Sequence, residues 1–367
     1  MTTEREAPAP LSACDEPLAK RYDVALLDLD GVVYVGPDPV PDAPENLRKA
    51  AKEGMRIGYI TNNASRPARV VAEHLASFGL DVIADDVVTS AQAAAKLIAS
   101  EFPKGSPVLV VGGEGLTSAL EEYGLSPVRS SDGHPVAVVQ GFHPDVNWVM
   151  LADGAHAINE GAKWYATNLD LTIPTAAGKA PGNGTLVQAI RAAVDVDPIV
   201  AGKPEPPLLE TSIERLSAER PLMIGDRLDS DIEGANAVGI ASLWVATGVH
   251  DAHDLARAPK EQRPTYVGAD LSALALKQPG VTVEGPRHTC GGWTAEVVNN
   301  AVGVKGEGEP YDGLRAILSA VWAAVDASAR PAEKPVKTTG RRPLPKPAPA
   351  PGSIAIDAAL HRIGLDK

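Results

Sequence analysis

Short apolar runs alternate with helical patterns along most of this chain, and that alternation limits the folds open to it. The first run, Val24–Leu27, is bounded by a turn signal, which is typical of a buried parallel strand. Further strands are predicted at 56–60, 108–111, 136–139, 164–167 and 222–224, with helices at 43–53, 67–78, 91–100, 115–123, 148–160, 184–193 and 208–216. Strands that alternate with helices predict a parallel, doubly wound α/β sheet.

Two acids follow the first predicted strand. Asp28 and Asp30 are two positions apart, with Gly31 next. Side chains two apart on a strand point to the same face, and open α/β sheets bind ligands at the carboxyl ends of their strands. Two converging carboxylates repel each other unless a cation lies between them or one holds a proton. The pattern therefore predicts Mg²⁺ chemistry, although an isolated pair of this kind also occurs in simple turns.

Three further polar motifs lie at strand ends or in adjoining loops. Thr61, Asn62 and Asn63 follow the second strand, Lys203 lies between a glycine and a proline, and Asp226 follows the strand at 222–224. Taken alone, the first motif could cap a helix, the lysine could be a solvated surface residue, and the aspartate could lie in an acidic turn. Their conjunction with the paired acids favours a catalytic site.

The composition of the chain excludes several classes of binding partner. The 367-residue chain has 34 basic and 47 acidic residues, a net charge of −13, which argues against nucleic-acid binding and against binding to membrane surfaces. No stretch predicts membrane insertion. The two cysteines, Cys14 and Cys290, stand in unlike surroundings, so neither a disulfide framework nor a zinc site is expected. We expect a cytoplasmic protein with a disordered leader over residues 1–20.

In their order, these motifs resemble those of the haloacid dehalogenase-like (HAD) phosphatases. The resemblance covers residues 22–268 and implies a Rossmann-like core. Further matches around Asn168, Asp170 and 181–184 resemble the subgroup with an inserted α/β cap, which includes NagD-type nucleotidases, phosphoglycolate phosphatases and 4-nitrophenylphosphatases. The core is then expected at 21–91 and 181–272, and the cap at 92–180.

The resemblance implies a role for each acid. Asp28 is expected to attack phosphorus and form an aspartyl-phosphate, and Asp30 to act as general acid and base. Mg²⁺ is expected to bind Asp28, Asp226 and the backbone carbonyl of Asp30. Asp231 is expected to bind the ion through water or to orient Lys203, whereas Asp229 could simply cap the next helix.

Other motif residues are expected to contact the substrate. Thr61, Asn62 and Lys203 are expected to bind the phosphoryl oxygens. Asn168 and Asp170 could touch the organic part of the substrate or form a hinge between cap and core that bonds to its own backbone.

The C-terminal region has a different character. Residues 273–329 combine a β-rich piece with a helix and resemble a truncated N-acetyltransferase-like (GNAT-like) half-domain, for which we expect a structural or dimerisation role. A Pro- and Lys-rich linker is expected at 330–352, and a tail helix within 353–367. Such an extension is found on actinobacterial phosphatases of this family that resemble glycerol 3-phosphate phosphatases.

This arrangement implies that the substrate is a small phosphorylated metabolite, glycerol 3-phosphate. Alternatives are phosphoglycolate, or a broad range that includes 4-nitrophenyl phosphate, pyridoxal phosphate and nucleotides. A non-catalytic phosphoryl-binding scaffold is a further alternative, which the intact Asp28 and Asp30 disfavour. A homodimer through the cap or the extension is possible.

Overall fold

The computed structural model describes residues 7–175, 177–328 and 354–365. Its strands are β1 (Val24–Leu27), β2 (Tyr34–Val35), β3 (Asp38–Pro39), β4 (Arg56–Thr61), β5 (Val87–Thr89), β6 (Pro107–Val111), β7 (Ser126–Val128), β8 (Ala137–Gln140), β9 (Lys163–Ala166), β10 (Thr172–Thr175), β11 (Gly178–Pro181), β12 (Ile199–Val200), β13 (Pro221–Gly225), β14 (Ala241–Val245), β15 (Tyr266–Gly268), β16 (Thr282–Glu284), β17 (Arg287–Cys290), β18 (Trp293–Val298) and β19 (Ala301–Gly306).

The helices lie mostly between these strands. They are α1 (Leu18–Arg21), α2 (Ala43–Lys52), α3 (Ala68–Ser77), α4 (Ser90–Glu101), α5 (Glu114–Glu122), α6 (Trp148–Asn159), α7 (Asn183–Arg191), α8 (Pro206–Arg215), α9 (Glu233–Ala237), α10 (Ala252–Ala256), α11 (Pro310–Ser328) and α12 (Asp357–Ile363). A single π-helical turn, Leu228–Ile232, precedes α9. None of the helices among the described residues is long and apolar enough to cross a membrane.

The chain divides into two compact units, and the division falls within β1. Unit 1 comprises Met1–Ala25, Val40–Met55 and Arg220–Lys367, and unit 2 comprises Leu26–Pro39 and Arg56–Glu219.

Unit 1 contains a parallel sheet and an antiparallel sheet. The parallel strands run in the order β15, β14, β13, β1, and the antiparallel sheet runs β16, β17, β18, β19. Helix α11 packs on the antiparallel sheet, where Trp293, Leu314 and Trp322 are buried in one apolar cluster. This strand-and-helix module agrees with the predicted α+β extension.

The C-terminal segment 354–365 completes this module. Ala355 forms a bridge beside Ala301 of β19, where it accepts a hydrogen bond from the Val302 N–H (2.9 Å). The buried face of α12, including Leu360 and Ile363, joins the same apolar cluster. The tail helix predicted from the sequence is thus present and packed, whereas the predicted linker at 330–352 lies outside the described residues.

Unit 2 contains the strands that carry most of the motifs. In this unit β1, β4 and β5 lie side by side in that order, and a separate parallel sheet runs β12, β9, β8, β6, β7. The second sheet is the predicted α/β cap, but β12 pairs with β9, and Val187 and Ile190 of α7 pack in its core. Its strands and packed helices therefore extend beyond the boundary predicted at residue 180.

The predicted disordered leader is wrong for residues 7–20. Leu11, Cys14 and Leu18 are buried, and Cys14 exchanges two backbone hydrogen bonds with Gln278 (2.8 and 2.9 Å). Apolar side chains spaced along this segment find a surface within unit 1, which a local reading of its Pro-rich composition does not reveal. Residues 1–6 lie outside the described part of the chain.

Candidate active site

Asp28 and Lys203 form a buried ion pair in unit 2. Asp28 directly follows β1, and Lys203 lies in the loop between β12 and α8. The Lys203 Nζ lies 2.6 Å from Oδ1 of Asp28, and the two residues are 3% and 8% exposed. Burying either charge alone would be costly, so each stabilises the charged form of the other. The pairing leaves Asp28 ionised, as a nucleophile must be.

Asp30 lies in the turn that follows and is exposed to solvent. Gly31 adopts a φ of 90°, which favours glycine, and its N–H bonds to the Tyr34 carbonyl (2.8 Å) to close the turn. Desolvation by the surrounding protein raises the pKa of Asp30, and the positive charge of Lys203 opposes that rise. A carboxyl group with a raised pKa is suited to donating a proton near neutral pH.

Thr61 and Asn62 lie at the carboxyl end of β4. Thr61 is buried, and its Oγ1 accepts a hydrogen bond from the Asn63 N–H (3.0 Å). The side chain of Asn62 bonds twice to the backbone of Lys203: its Oδ1 accepts from the N–H (2.8 Å), and its Nδ2 donates to the carbonyl (2.9 Å). The structure thus brings this predicted motif together with Lys203, while binding of phosphate by Thr61 and Asn62 stays a prediction.

Asn168 and Asp170 lie in the loop after β9 and bond to the same motif. Asn168 Nδ2 donates to the Asn62 carbonyl (2.8 Å), and its Oδ1 accepts from the Asp170 N–H (3.1 Å). Asp170 Oδ2 in turn accepts from Asn62 Nδ2 (3.2 Å). Both ends of the Asn168 amide are therefore used inside the protein, which favours the hinge alternative for that residue. Asp170 is half-buried, and its contact with substrate stays a prediction.

Asp226 is fully buried at the end of β13 in unit 1. Its Oδ2 accepts a short hydrogen bond from the Val249 N–H (2.6 Å), but its Oδ1 has no hydrogen-bond partner among the described residues. Burial raises the pKa of Asp226, and the neighbouring Asp231 raises it further. An unpaired buried carboxylate oxygen is costly, and a bound cation would satisfy it.

Two glycines leave room for the acids of this turn. A Cβ at residue 248 would lie 1.9 Å from Asp226 Oδ2, and one at residue 225 would lie 2.2 Å from Asp231 Oδ2. Asp231 is fully buried and accepts a hydrogen bond from the Arg227 N–H (3.1 Å). The backbone is therefore shaped around two buried carboxylates, as the donor set of a Mg²⁺ site requires.

Asp229 has a different role from its neighbours. It is exposed and pairs with the guanidinium of Arg227 through two hydrogen bonds of 3.1 and 3.0 Å. The structure thus gives it a surface ion pair in place of the helix cap that the sequence suggested.

Sequence reasoning missed two contributors to the site. The loop after β14 supplies Gly248 and the Val249 N–H to Asp226, and Ser90, at the start of α4, donates from Oγ to the Asn62 carbonyl (2.6 Å). The loop after β14 could have been found from the Thr247-Gly248 pair, which directly follows an apolar run. A serine at the first position of a helix gives no comparable signal.

Comparisons with known families agree with this arrangement. The model described as haloacid dehalogenase-like hydrolase matches residues 25–126, and a HAD-hydrolase-like model matches residues 200–274. A GCN5-related N-acetyltransferase-like domain matches residues 290–339, a range that includes α11.

Individual relatives cover most of the chain. A D-glycerol 3-phosphate phosphatase of Mycobacterium tuberculosis is 43% identical over 84% of this chain and 88% of its own length. An acid sugar phosphatase of Staphylococcus saprophyticus is 35% identical over 70% of this chain and 97% of its own length.

Solved structures show the same likeness. The glycerol phosphate phosphatase of M. tuberculosis in complex with magnesium superposes with a TM-score of 0.80 at 39% identity, over 95% of this chain and 99% of that one. The p-nitrophenyl phosphatase of Archaeoglobus fulgidus gives 0.65 at 28% identity, over 69% of this chain and 98% of that one. The chain therefore belongs to the haloacid dehalogenase-like hydrolase family, among relatives that are phosphatases.

Proposed function

We propose that this protein is a Mg²⁺-dependent phosphatase that hydrolyses glycerol 3-phosphate to glycerol and inorganic phosphate. The observation that carries the chemistry is the buried pair of Asp28 and Lys203, because it keeps a carboxylate ionised next to a fixed positive charge. The substrate is supported by the M. tuberculosis relative, which is named for it and which this chain matches through the C-terminal module as well as the core.

The metal site that we propose uses buried acids. Asp28, Asp226 and Asp231 are all buried, and each offers a carboxylate oxygen as a potential metal ligand. We assign Asp28, Asp226 and the Asp30 carbonyl as direct ligands and Asp231 as a ligand through water. Bound Mg²⁺ would neutralise charge on the phosphate monoester and on the attacking carboxylate. The unpaired Oδ1 of Asp226 fits this assignment.

The proposed reaction has two steps. A carboxylate oxygen of Asp28 forms a bond to phosphorus while the bond from phosphorus to the glycerol oxygen breaks, and Asp30 donates a proton to that oxygen. Asp30 then removes a proton from water, which attacks phosphorus and breaks the bond to Asp28. Asp28 is regenerated, inorganic phosphate leaves, and Asp30 is protonated again for the next cycle.

Lys203 and Thr61 are proposed to bind the phosphoryl oxygens during this transfer. Lys203 supplies a fixed positive charge, whose position does not depend on the substrate because its contact with Asp28 already holds it. Preorganised charge of this kind stabilises the transition state more than it stabilises the bound substrate.

The substrate assignment is tested by a panel of phosphate monoesters. With Mg²⁺, we expect kcat/KM for glycerol 3-phosphate to exceed the values for phosphoglycolate, 4-nitrophenyl phosphate, pyridoxal phosphate and a nucleoside monophosphate. A higher kcat/KM for one of the other compounds would overturn the substrate assignment but not the proposed phosphatase chemistry. No Mg²⁺-dependent turnover of any of them would favour the phosphoryl-binding scaffold.

The cellular setting follows from the same proposal. We infer a cytoplasmic enzyme that acts on a small metabolite, since the chain has a net charge of −13 and only two cysteines. A homodimer through the cap or the C-terminal module stays a prediction, which light scattering on the purified full chain can test.

A further inference from the structure

We infer that Asn62 is a positioning residue that sets the place of Lys203, and that its side chain does not bind the phosphate. The inference rests on the proposed function, since it concerns how the phosphoryl site of that reaction is built. The phosphate binding that the sequence predicts for this residue is then left to its backbone amide.

The hydrogen bonds of the Asn62 side chain carry the argument. Its carboxamide accepts from the Lys203 N–H and donates to the Lys203 carbonyl, at 2.8 and 2.9 Å. One planar amide thus bonds both backbone polar groups of a single residue, as a neighbouring strand would. We call this pair of hydrogen bonds between the Asn62 side chain and the Lys203 backbone the clamp. Its second N–H donates to Asp170 Oδ2 at 3.2 Å. An asparagine amide has two donor hydrogens, and the contacts with the Lys203 carbonyl and with Asp170 use both of them.

The backbone of Asn62 is held as firmly as its side chain. Its carbonyl accepts one hydrogen bond from Ser90 Oγ (2.6 Å) and another from Asn168 Nδ2 (2.8 Å). Ser90 and Asn168 are themselves buried. Asn62 can position Lys203 only if Asn62 is itself fixed, and the hydrogen bonds from Ser90 and Asn168 fix its backbone.

Gly202 shows how closely the two segments approach. A Cβ at this position would lie 2.6 Å from Asn62 Oδ1 and 2.3 Å from the Thr167 carbonyl oxygen. Any larger residue before Lys203 would therefore push the loop away from Asn62. The glycine is thus required both by the Thr167 backbone and by the close contact with Asn62.

The clamp acts on chemistry through Lys203. The Lys203 backbone determines where its ammonium group lies, and that group contacts Asp28 at 2.6 Å. A displacement of about 1 Å at a reacting group can cost about 100-fold in rate. Loss of the clamp is therefore expected to act mainly on kcat/KM, by way of the lysine.

A double-mutant cycle tests this. We expect Asn62→Ala to lower kcat/KM by about 100-fold in the wild-type background. In the Lys203→Arg background, which keeps a positive charge but already misplaces it, Asn62→Ala is expected to cost no more than about 3-fold. If the fold loss in kcat/KM of the double variant equals the product of the two single losses, the inference is overturned, because Asn62 would then act independently of the lysine.

The crystal structure of Asn62→Ala provides a readout that does not depend on activity. We expect the distance from Lys203 Nζ to Asp28 Oδ1 to exceed about 4 Å, the limit for an ion pair. An unchanged distance would contradict the inference. If the alanine variant does not fold, Asn62→Asp keeps the size and the acceptor but loses the donor to Lys203, and the same two measurements apply.

Asn159→Ala is the matched control. Asn159 is exposed on α6, and its Nδ2 also donates to a backbone carbonyl, that of Ala193 (3.2 Å), so the same kind of bond is lost elsewhere. Its kcat/KM is expected to stay within about 2-fold of wild type. Because 4-nitrophenyl phosphate serves as a second substrate throughout, failure of glycerol 3-phosphate with the wild type would count against the proposed substrate alone.

Discussion

Lys203 Nζ lies 2.6 Å from Oδ1 of Asp28, and both groups are almost completely removed from solvent. In a buried pair, removal of one partner leaves the other charge without compensation, so the pair acts as a unit. Lys203 therefore has two proposed roles: it keeps Asp28 ionised, and it presents a positive charge to the phosphoryl group.

Lys203→Ala is expected to reduce kcat by at least about 100-fold, because it removes a preorganised positive charge from the transition state. Lys203→Arg keeps the charge and is expected to lose less. Initial rates with saturating substrate and Mg²⁺ provide the measurement. An alanine variant within about 3-fold of wild type would show that the charge is not used in the chemical step.

Mg²⁺ binding is expected to weaken as the pH falls, because protons and the metal compete for Asp226. Burial and Asp231 raise the pKa of Asp226 in the metal-free protein to about 7. Calorimetric titration is expected to give a lower Mg²⁺ affinity at pH 6 than at pH 8. Equal affinities at the two pH values would contradict the assignment of Asp226 as a ligand.

The same shift predicts how metal-free stability depends on pH. The folded form holds a proton on Asp226 that the unfolded chain has released, so the free energy of unfolding falls as the pH rises from about 4 towards the raised pKa. Saturating Mg²⁺ is therefore expected to raise the melting temperature more at pH 8 than at pH 5.5. A larger gain at pH 5.5 would reverse the predicted sign.

The C-terminal segment is expected to stabilise unit 1 through its buried face. Leu360 is fully buried in the apolar cluster around α11, so Leu360→Ala is expected to lower the free energy of unfolding by about 2–5 kcal/mol. Ala358→Ser, on the exposed face of α12, is the control and should change it by less than about 0.5 kcal/mol. Urea unfolding measures the stability of both variants. Equal free energies of unfolding for Leu360→Ala and Ala358→Ser would mean that the segment is not packed in solution.

Much of the site could be predicted because strand-end acids are a local signal. Asp28, Asp30 and Asp226 each follow an apolar run or closely adjoin one, and the carboxyl ends of parallel strands bind ligands in α/β folds. The alternation of strands and helices likewise predicted the parallel sheets, including the separate sheet of the cap.

The parts that could not be predicted depend on contacts between distant segments. Phosphate binding by Asn62 stays a prediction, and the contact of its side-chain amide with Lys203, 141 positions further along the chain, could not be predicted. Val249 reaches Asp226 through its backbone N–H, and Cys14, in the segment 7–20, exchanges two backbone hydrogen bonds with Gln278. In each case the backbone of one segment forms a hydrogen bond with a polar group of a distant segment, and the local sequence pattern does not predict such a contact.

Asp28→Asn provides the most direct test of the central claim, because it removes the attacking carboxylate and nearly preserves its shape. Release of inorganic phosphate from glycerol 3-phosphate is measured with Mg²⁺ for the wild type and the variant, with circular dichroism to show that both are folded. We expect Mg²⁺-dependent turnover by the wild type and a loss of at least about 10⁴-fold in the variant. A folded Asp28→Asn protein that retains turnover within about 10-fold of wild type would contradict it.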